Sequence, residues 1–200
     1  MVNFINDRNN LNNAVLVAWD ADDRDAPTTI NDTNAVYDIS STVKAKVSHI
    51  KFTATNKSQH VLVRADQVDG DWEGGNFQND DRLLFTDNQS VKDGPITIEF
   101  VGADLETPVP VSAAAVQIQS FTEGDFTGII RAVDTSGLIF EHRRLGNSNS
   151  NRDNSAICLG VISDTANIVR IDLLTTNIVA AGHAGFDKRG FAINQLSVTL

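Results

Sequence analysis

Apolar residues in this chain occur in short stretches, some alternating with polar residues and some continuous over a few positions. Strict alternation is typical of a strand with one face in solvent, and residues 43–47 (Val-Lys-Ala-Lys-Val) show it most clearly. In the last third of the chain, turn-forming sequences such as 134–137 (Asp-Thr-Ser-Gly) and 146–149 (Gly-Asn-Ser-Asn) separate these stretches. The pattern predicts strands joined by turns in this region, and no helix.

The predicted strands follow one another at the short intervals expected of a β-sandwich. They cover residues 14–19, 35–37, 43–47, 49–53, 60–64, 83–85, 96–101, 116–119, 129–133, 138–140, 156–162, 168–174 and 191–198. A chain of 200 residues is long enough to bury a core as one domain. We therefore predict an all-β fold, a single-domain antiparallel β-sandwich over residues 14–200. An Asn-rich arm at residues 1–13 precedes it, and we expect this arm to be flexible.

The balance of charges narrows the classes of partner. The chain carries 16 Lys and Arg residues against 26 Asp and Glu residues, for a formal net charge of −10. Such a surface repels phosphate backbones, so we expect no binding to nucleic acid. No apolar run approaches the length of a membrane span, so no membrane insertion is predicted. The same negative charge attracts cations, of which calcium is the first to consider.

The single cysteine, Cys158, lies in the apolar stretch 156–162. One cysteine excludes an intramolecular disulfide. A reactive nucleophile would need a polarising histidine nearby, and the flanking sequence supplies none. We predict that Cys158 is a small buried apolar residue.

Three short motifs follow one another in the second part of the chain: 71–77 (Asp-Trp-Glu-Gly-Gly-Asn-Phe), 81–86 (Asp-Arg-Leu-Leu-Phe-Thr) and, near the end, 191–196 (Phe-Ala-Ile-Asn-Gln-Leu). Their order from Asp69 onward resembles a family of bacterial β-sandwich domains, many of them exported, that includes proteins sorted by the PEP-CTERM system. The resemblance implies a jelly-roll fold similar to galactose-binding and carbohydrate-binding modules, and it brings no established activity with it. Because residues 1–10 lack the apolar segment of a signal peptide, an extracellular or cell-surface location presupposes a leader that has been removed.

Two acidic loops are candidate calcium sites, because calcium takes several oxygen ligands from flexible acidic segments. The candidate ligands are Asp20, Asp22, Asp23 and Asp25 in the first loop, Asp69 and Asp71 in the second, and Asp187 in a later turn. The first loop is not an EF-hand, since Asp25 stands at the glycine position and Asn31 stands at the position of the bidentate glutamate. The alternative for both loops is a solvated acidic surface.

The second acidic loop also carries a candidate glycan site. Trp72 would stack on the face of a sugar, with Asp71 and Asn76 as hydrogen-bonding partners. The alternative is that Trp72 closes the open end of the sandwich. The other tryptophan, Trp19, ends an apolar stretch and is predicted to lie in the core, and Tyr37 lies in a predicted strand.

These observations favour a non-catalytic binding module, stabilised by calcium if the acidic loops bind it, that recognises a glycan or another surface polymer. The alternative is a structural domain that forms a homo-oligomer through strand edges or a sheet face. A hydrolase is less favoured, because the chain has no His-Glu-x-x-His motif and no Gly-x-Ser-x-Gly motif. A glycosidase needs only two opposed carboxylates, but the 26 acidic residues single out no such pair.

Overall fold

The computed structural model describes residues 1–19, 28–30, 35–52, 57–59, 62–66, 76–77, 82–86, 93–121, 123–151, 154–177 and 190–200. These residues form β-strands and one short 3₁₀ helix, Arg8–Asn10, and they include no α-helix. Within these ranges no helix is long and apolar enough to cross a membrane.

The strands are numbered in chain order. They are β1 (Val2–Ile5), β2 (Val15–Val17), β3 (Thr28–Ile30), β4 (Ala35–Asp38), β5 (Val43–Phe52), β6 (Lys57–Gln59), β7 (Leu62–Asp66), β8 (Arg82–Thr86), β9 (Asp93–Gly102), β10 (Ala113–Ser120), β11 (Gly124–Asp134), β12 (Ile139–Ser148), β13 (Ile157–Ser163), β14 (Ile168–Asn177), β15 (Phe191–Ile193) and β16 (Leu196–Thr199).

The strands form two antiparallel sheets. The first sheet has the order β1-β13-β10-β15-β8-β7-β3, with β16 pairing with β10 and β2 pairing with β16. The second sheet has the order β12-β11-β14-β9-β5-β4, with β6 pairing with β5. The predicted antiparallel β-sandwich is therefore confirmed, whereas the jelly-roll form implied by the resemblance stays a prediction.

One apolar core lies between the sheets and explains why the alternating segments became strands. The first sheet contributes, among others, Val116, Ile118, Leu159 and Phe191, and the second contributes Ile98, Phe100, Phe126, Ile130 and Ile171. Burying each such side chain contributes roughly 1.5–3 kcal/mol relative to leaving it in water. Trp19 is fully buried in this core, as predicted, with its ring centroid 4.9 Å from that of Tyr37 in an edge-to-face arrangement.

The N-terminal residues differ from the flexible arm that the sequence suggested. Val2–Ile5 form β1, which pairs with β13 so that Ile5 lies opposite Gly160. A Cβ atom at Gly160 would lie 2.6 Å from Ile5 Cγ1 and 2.7 Å from Ala115 Cβ. Glycine at this position therefore leaves the space in which the Ile5 side chain packs, and the packing offsets the entropy lost by ordering the terminus.

Candidate functional site: a polar cleft beside the first strand

Most of the residues predicted to bind calcium or a glycan lie outside the described residues. These are Asp20, Asp22, Asp23, Asp25, Asp69, Asp71, Trp72 and Asp187. Their assignments stay predictions. Within the described ranges, no three His, Cys, Asp or Glu side chains come close enough to hold a metal ion.

Asn76, the described member of the predicted glycan site, lies in the interior of the fold. Its side-chain oxygen accepts hydrogen bonds from Gln119 Nε2 and from the backbone N–H of Asn149 (2.8 Å). Its Nδ2 donates to Ser155 Oγ, and its backbone oxygen accepts from the N–H of Ala156 (2.8 Å). These hydrogen bonds of Asn76 fix the position of the segment that leads into β13.

The segment that Asn76 holds forms one wall of a polar cleft of about 510 Å³. The other walls come from the turn after β1, from β10 and β12, and from the connection between β15 and β16. The cleft is lined by residues 6–9, Gln117, Arg144, residues 154–158, Asn194 and Gln195. We refer to this set as the polar cleft.

Arg8 is the first of two arginines in the polar cleft, and the local sequence places it there. Asp7 caps the 3₁₀ helix by accepting a hydrogen bond from the N–H of Asn9 (2.9 Å). The guanidinium of Arg8 then donates from Nη2 to Gln117 Oε1 (2.6 Å) and to Asn194 Oδ1 (2.7 Å). Both acceptors are neutral amides, so they orient the guanidinium without cancelling its charge.

A relay of amides behind Arg8 fixes these acceptors. Asn194, which is buried, donates from Nδ2 to Gln117 Oε1 (2.6 Å) and accepts from the N–H of Gln117 (3.1 Å). Gln117 donates in turn from Nε2 to Asn154 Oδ1 (3.0 Å) and to the backbone oxygen of Ala156 (3.3 Å). The polar groups on this side of the cleft are therefore already ordered before any ligand arrives.

Arg144 is the second arginine and enters the cleft from β12. Its Nη1 donates to the backbone oxygens of Asn6 (2.8 Å) and Cys158 (3.0 Å). Beside it, the ring of His142 stacks on Phe4 at a centroid distance of 5.0 Å. Arg144 therefore joins the end of β1 to β13 and β12, and its acceptors among the described residues are neutral carbonyls.

The electrostatics of the polar cleft contrast with those of the whole chain. Among the described residues, neither Arg8 nor Arg144 forms an ion pair, whereas Arg131, Arg143 and Arg170 each pair with a carboxylate. Two guanidinium groups thus share a cleft in a chain of net charge −10.

Cys158 lines the polar cleft and is buried, which confirms the prediction of a small buried apolar residue. Burial raises the pKa of its thiol, and the nearby charges of Arg8 and Arg144 only partly offset that rise. The residue therefore stays a neutral thiol at pH 7 and is a poor nucleophile.

The sequence offered no sign of this cleft. Arg8 lies in the segment expected to be flexible, and Arg144 belongs to His142-Arg143-Arg144, a small basic group that the sequence predicts to be a solvated strand end, with an anion site as the less favoured alternative. Gln117 sits in an alternating stretch where a polar residue predicts a solvent-facing position. The cleft arises only when chain segments 186 residues apart meet, as in the hydrogen bond between Arg8 and Asn194.

In comparisons with known proteins, no family model, no curated protein and no solved structure matches this chain.

Proposed function

We propose that this protein is a non-catalytic binding module that holds part of a glycan or another polyhydroxylated surface polymer in the polar cleft. The observation that carries the proposal is the lining of the cleft by ordered amide and guanidinium groups. Such groups donate and accept hydrogen bonds in fixed directions, which is what recognition of hydroxyl groups requires.

The size and the chemistry of the cleft support the same proposal. Its volume of about 510 Å³ falls within the roughly 300–1,000 Å³ typical of small-ligand sites. Among its described lining residues Asp7 is the sole carboxylate, and that group caps the 3₁₀ helix. A glycosidase that uses the usual mechanism needs two opposed carboxylates, so binding without turnover is the better-supported activity.

The predicted features outside the described residues complete the proposal. The sequence predicts a further glycan contact, stacking on Trp72 with Asp71 as a hydrogen-bonding partner, and calcium held by the acidic loops would stabilise the module. Binding should therefore be measured both with millimolar calcium and with EDTA.

The test is a glycan array, printed with neutral and acidic glycans, probed with wild type and with a variant whose cleft is blocked. Asn9 lines the cleft and is exposed, so Asn9→Trp fills the cleft while keeping the backbone bonds of the 3₁₀ helix. Asn10→Trp is the matched control, because Asn10 is the next exposed residue and lies outside the cleft. We expect the array signal to fall at least about tenfold in Asn9→Trp, as loss of a hydrogen-bonded contact of about 1.4 kcal/mol requires.

The control variant is expected to keep the wild-type array signal. The proposal would be refuted by an array without a single hit in either calcium or EDTA, or by hits that Asn9→Trp and Asn10→Trp affect alike.

The edge strand β12 favours a second candidate function, self-association. Among the described strands β12 pairs only with β11, and its outer positions include Ile139 (57% exposed) and Leu145 (71% exposed). An unprotected strand edge with exposed apolar residues is a natural surface for pairing with a second copy.

This candidate predicts a dimer in light scattering at high protein concentration. Leu145→Lys should convert that dimer to a monomer by placing a charge on the edge. Val36→Lys, at an exposed position on β4 at the opposite edge of the same sheet, should leave the dimer intact. A wild-type protein that stays monomeric at high concentration would remove the support for self-association.

A further inference from the structure

We propose that the polar cleft is selective for acidic saccharides and that Arg144 binds the carboxylate of a uronate residue. This inference rests on the proposed glycan-binding function and adds the class of ligand. It assigns a role to Arg144, which the sequence places in a small basic group predicted to be a solvated strand end, and it follows from how the charges in the cleft are arranged.

The first step is the contrast between the arginines of this protein. On the outer face of the second sheet, Arg131 and Arg143 both donate to Glu141 at 2.7 Å. In the polar cleft, Arg8 and Arg144 donate to amide and backbone oxygens instead, and no described carboxylate pairs with them. A partly buried positive charge without an anionic partner is costly, so an anionic ligand would relieve that cost.

The second step is the set of donors that Arg144 has left. A guanidinium has five N–H groups, and the two hydrogen bonds of Arg144 to the chain both start from Nη1. Nε and Nη2 donate to no described residue. These two atoms form the side edge of the guanidinium, which matches a carboxylate with two parallel hydrogen bonds.

The third step is the magnitude of the charge. Among the described residues that line the cleft, Arg8 and Arg144 are positive and Asp7 is negative, so these side chains together carry a single net positive charge. One carboxylate on the ligand neutralises it, whereas a doubly charged phosphate would leave an excess of negative charge against Asp7.

The fourth step separates a uronate from a simple carboxylic acid. Around the two arginines the cleft presents the amides of Asn6, Asn9, Asn154 and Gln195, which are suited to hydroxyl groups. A sugar acid supplies both parts: a carboxylate for Arg144 and ring hydroxyls for the amides.

The experiment is titration calorimetry with oligosaccharides of polygalacturonate, alginate and hyaluronan, each measured beside its carboxyl-reduced form. EDTA is present throughout, so that calcium cannot bridge the acidic chains to the protein. We expect at least one uronate to bind at least about tenfold more tightly than its reduced form, as a charge-assisted pair of hydrogen bonds implies.

The variants test whether Arg144 provides that selectivity. Arg144→Met should remove the preference for the acidic form. Arg144→Lys keeps the charge but not the two parallel N–H donors of the guanidinium, so it should retain part of that preference. Arg143→Met is the matched control: it removes the same charge from the neighbouring residue, which pairs with Glu141 on the other face of the strand. We expect less than about a twofold change in affinity for this control, because the side chain of Arg143 is 61% exposed and its guanidinium pairs with Glu141 at 2.7 Å. Melting curves of all three variants establish that they are folded.

The outcomes separate the two levels of the proposal. If reduced and acidic forms bind equally, or if Arg143→Met lowers affinity as much as Arg144→Met, selectivity for acidic saccharides is overturned and glycan binding stands. The same holds if no uronate binds while neutral glycans on the array bind and lose their signal in Asn9→Trp. If no glycan of either kind binds, both the inference and the proposed function fall.

Discussion

Replacing Phe126 with alanine is expected to lower the free energy of unfolding by about 3–5 kcal/mol, as for other buried phenylalanines. Phe126 is 1% exposed and lies in the core between the two sheets. Its partner across the strand pair is Gly146, and a Cβ atom there would lie only 2.6 Å from Phe126 Cζ. The ring therefore packs directly on the backbone of β12, and its removal leaves a cavity next to Gly146 and Ile157.

The same contact makes a reciprocal prediction for Gly146. In the wild-type background Gly146→Ala should cost about 1–3 kcal/mol, because the new methyl group forces the ring out of its place. In a Phe126→Leu background the cost should be smaller, since the shorter side chain vacates space next to residue 146 and leaves Ile157 Cγ2, at 3.0 Å, as the remaining close neighbour of the new Cβ. A double-mutant cycle measured by urea denaturation isolates this coupling.

Leu145→Ala is the control for the Phe126 cycle. Leu145 precedes Gly146 and points outward, with 71% of its surface exposed. Its replacement should change the free energy of unfolding by no more than about 0.5 kcal/mol. Additive effects of Phe126→Leu and Gly146→Ala would show that the ring does not occupy the space above Gly146.

The second large effect is expected at Asn76, whose removal should destabilise the fold by roughly 3 kcal/mol or more. Asn76→Gly deletes two accepted hydrogen bonds and one donated bond, and it leaves the buried amide of Gln119 with one acceptor fewer. The backbone of Asn76 is left-handed (φ 57°), which glycine adopts without strain. The loss in Asn76→Gly beyond that in Asn13→Gly therefore reports the side-chain network, because the greater freedom of glycine in the unfolded chain is common to both variants.

Asn76→Ala should be less stable than Asn76→Gly by roughly 1 kcal/mol, because the left-handed backbone conformation is strained for alanine and not for glycine. Asn13 provides the matched pair: it has nearly the same backbone angle (φ 56°) but is exposed. Asn13→Ala and Asn13→Gly should differ by the same backbone amount, with no network loss in either. Urea denaturation of the four variants measures both quantities, and a small effect of Asn76→Gly would contradict the role assigned to the network.

Hydrogen exchange gives an independent measurement of the same variant. The N–H groups of Asn149 and Ala156 both donate to Asn76, the first to its side chain and the second to its backbone oxygen. In Asn76→Gly the amide of Asn149 should exchange much faster, while that of Ala156 should keep most of its protection. This difference distinguishes loss of the side chain from general loosening of the cleft wall.

The sequence predicted strands well where the same arrangement of apolar residues, alternating or continuous, held along the whole segment. Residues 129–133, 156–162 and 168–174 were predicted as strands and lie within or across the observed β11, β13 and β14. Residues 43–47 and 49–53 were predicted as two strands but belong largely to a single β5, in which the register shifts between His49 and Lys51. That irregularity displaces the alternation by one position, so the pattern alone suggests a break.

The candidate site was beyond prediction for a different physical reason. In residues 116–119 alternation correctly indicated a strand but suggested that Gln117 and Gln119 face solvent. In the structure Gln119 is fully buried beside Asn76, and Gln117 lines the polar cleft. The residues around a glutamine in sequence do not show whether it will find hydrogen-bond partners inside the fold, because the tertiary fold determines which distant polar groups lie next to it.

The pairing of β1 with β13 has a consequence for how the protein is made. Asn6, Asp7 and Arg8 reach the polar cleft only because β1 is hydrogen-bonded to a strand that begins at Ile157. During synthesis from the N-terminus, β1 leaves the ribosome long before its partner exists, and such distant pairings close late. The nascent chain therefore has no ligand-binding cleft until translation has passed β13, and competence to bind is acquired long after the N-terminal residues of the cleft have been made.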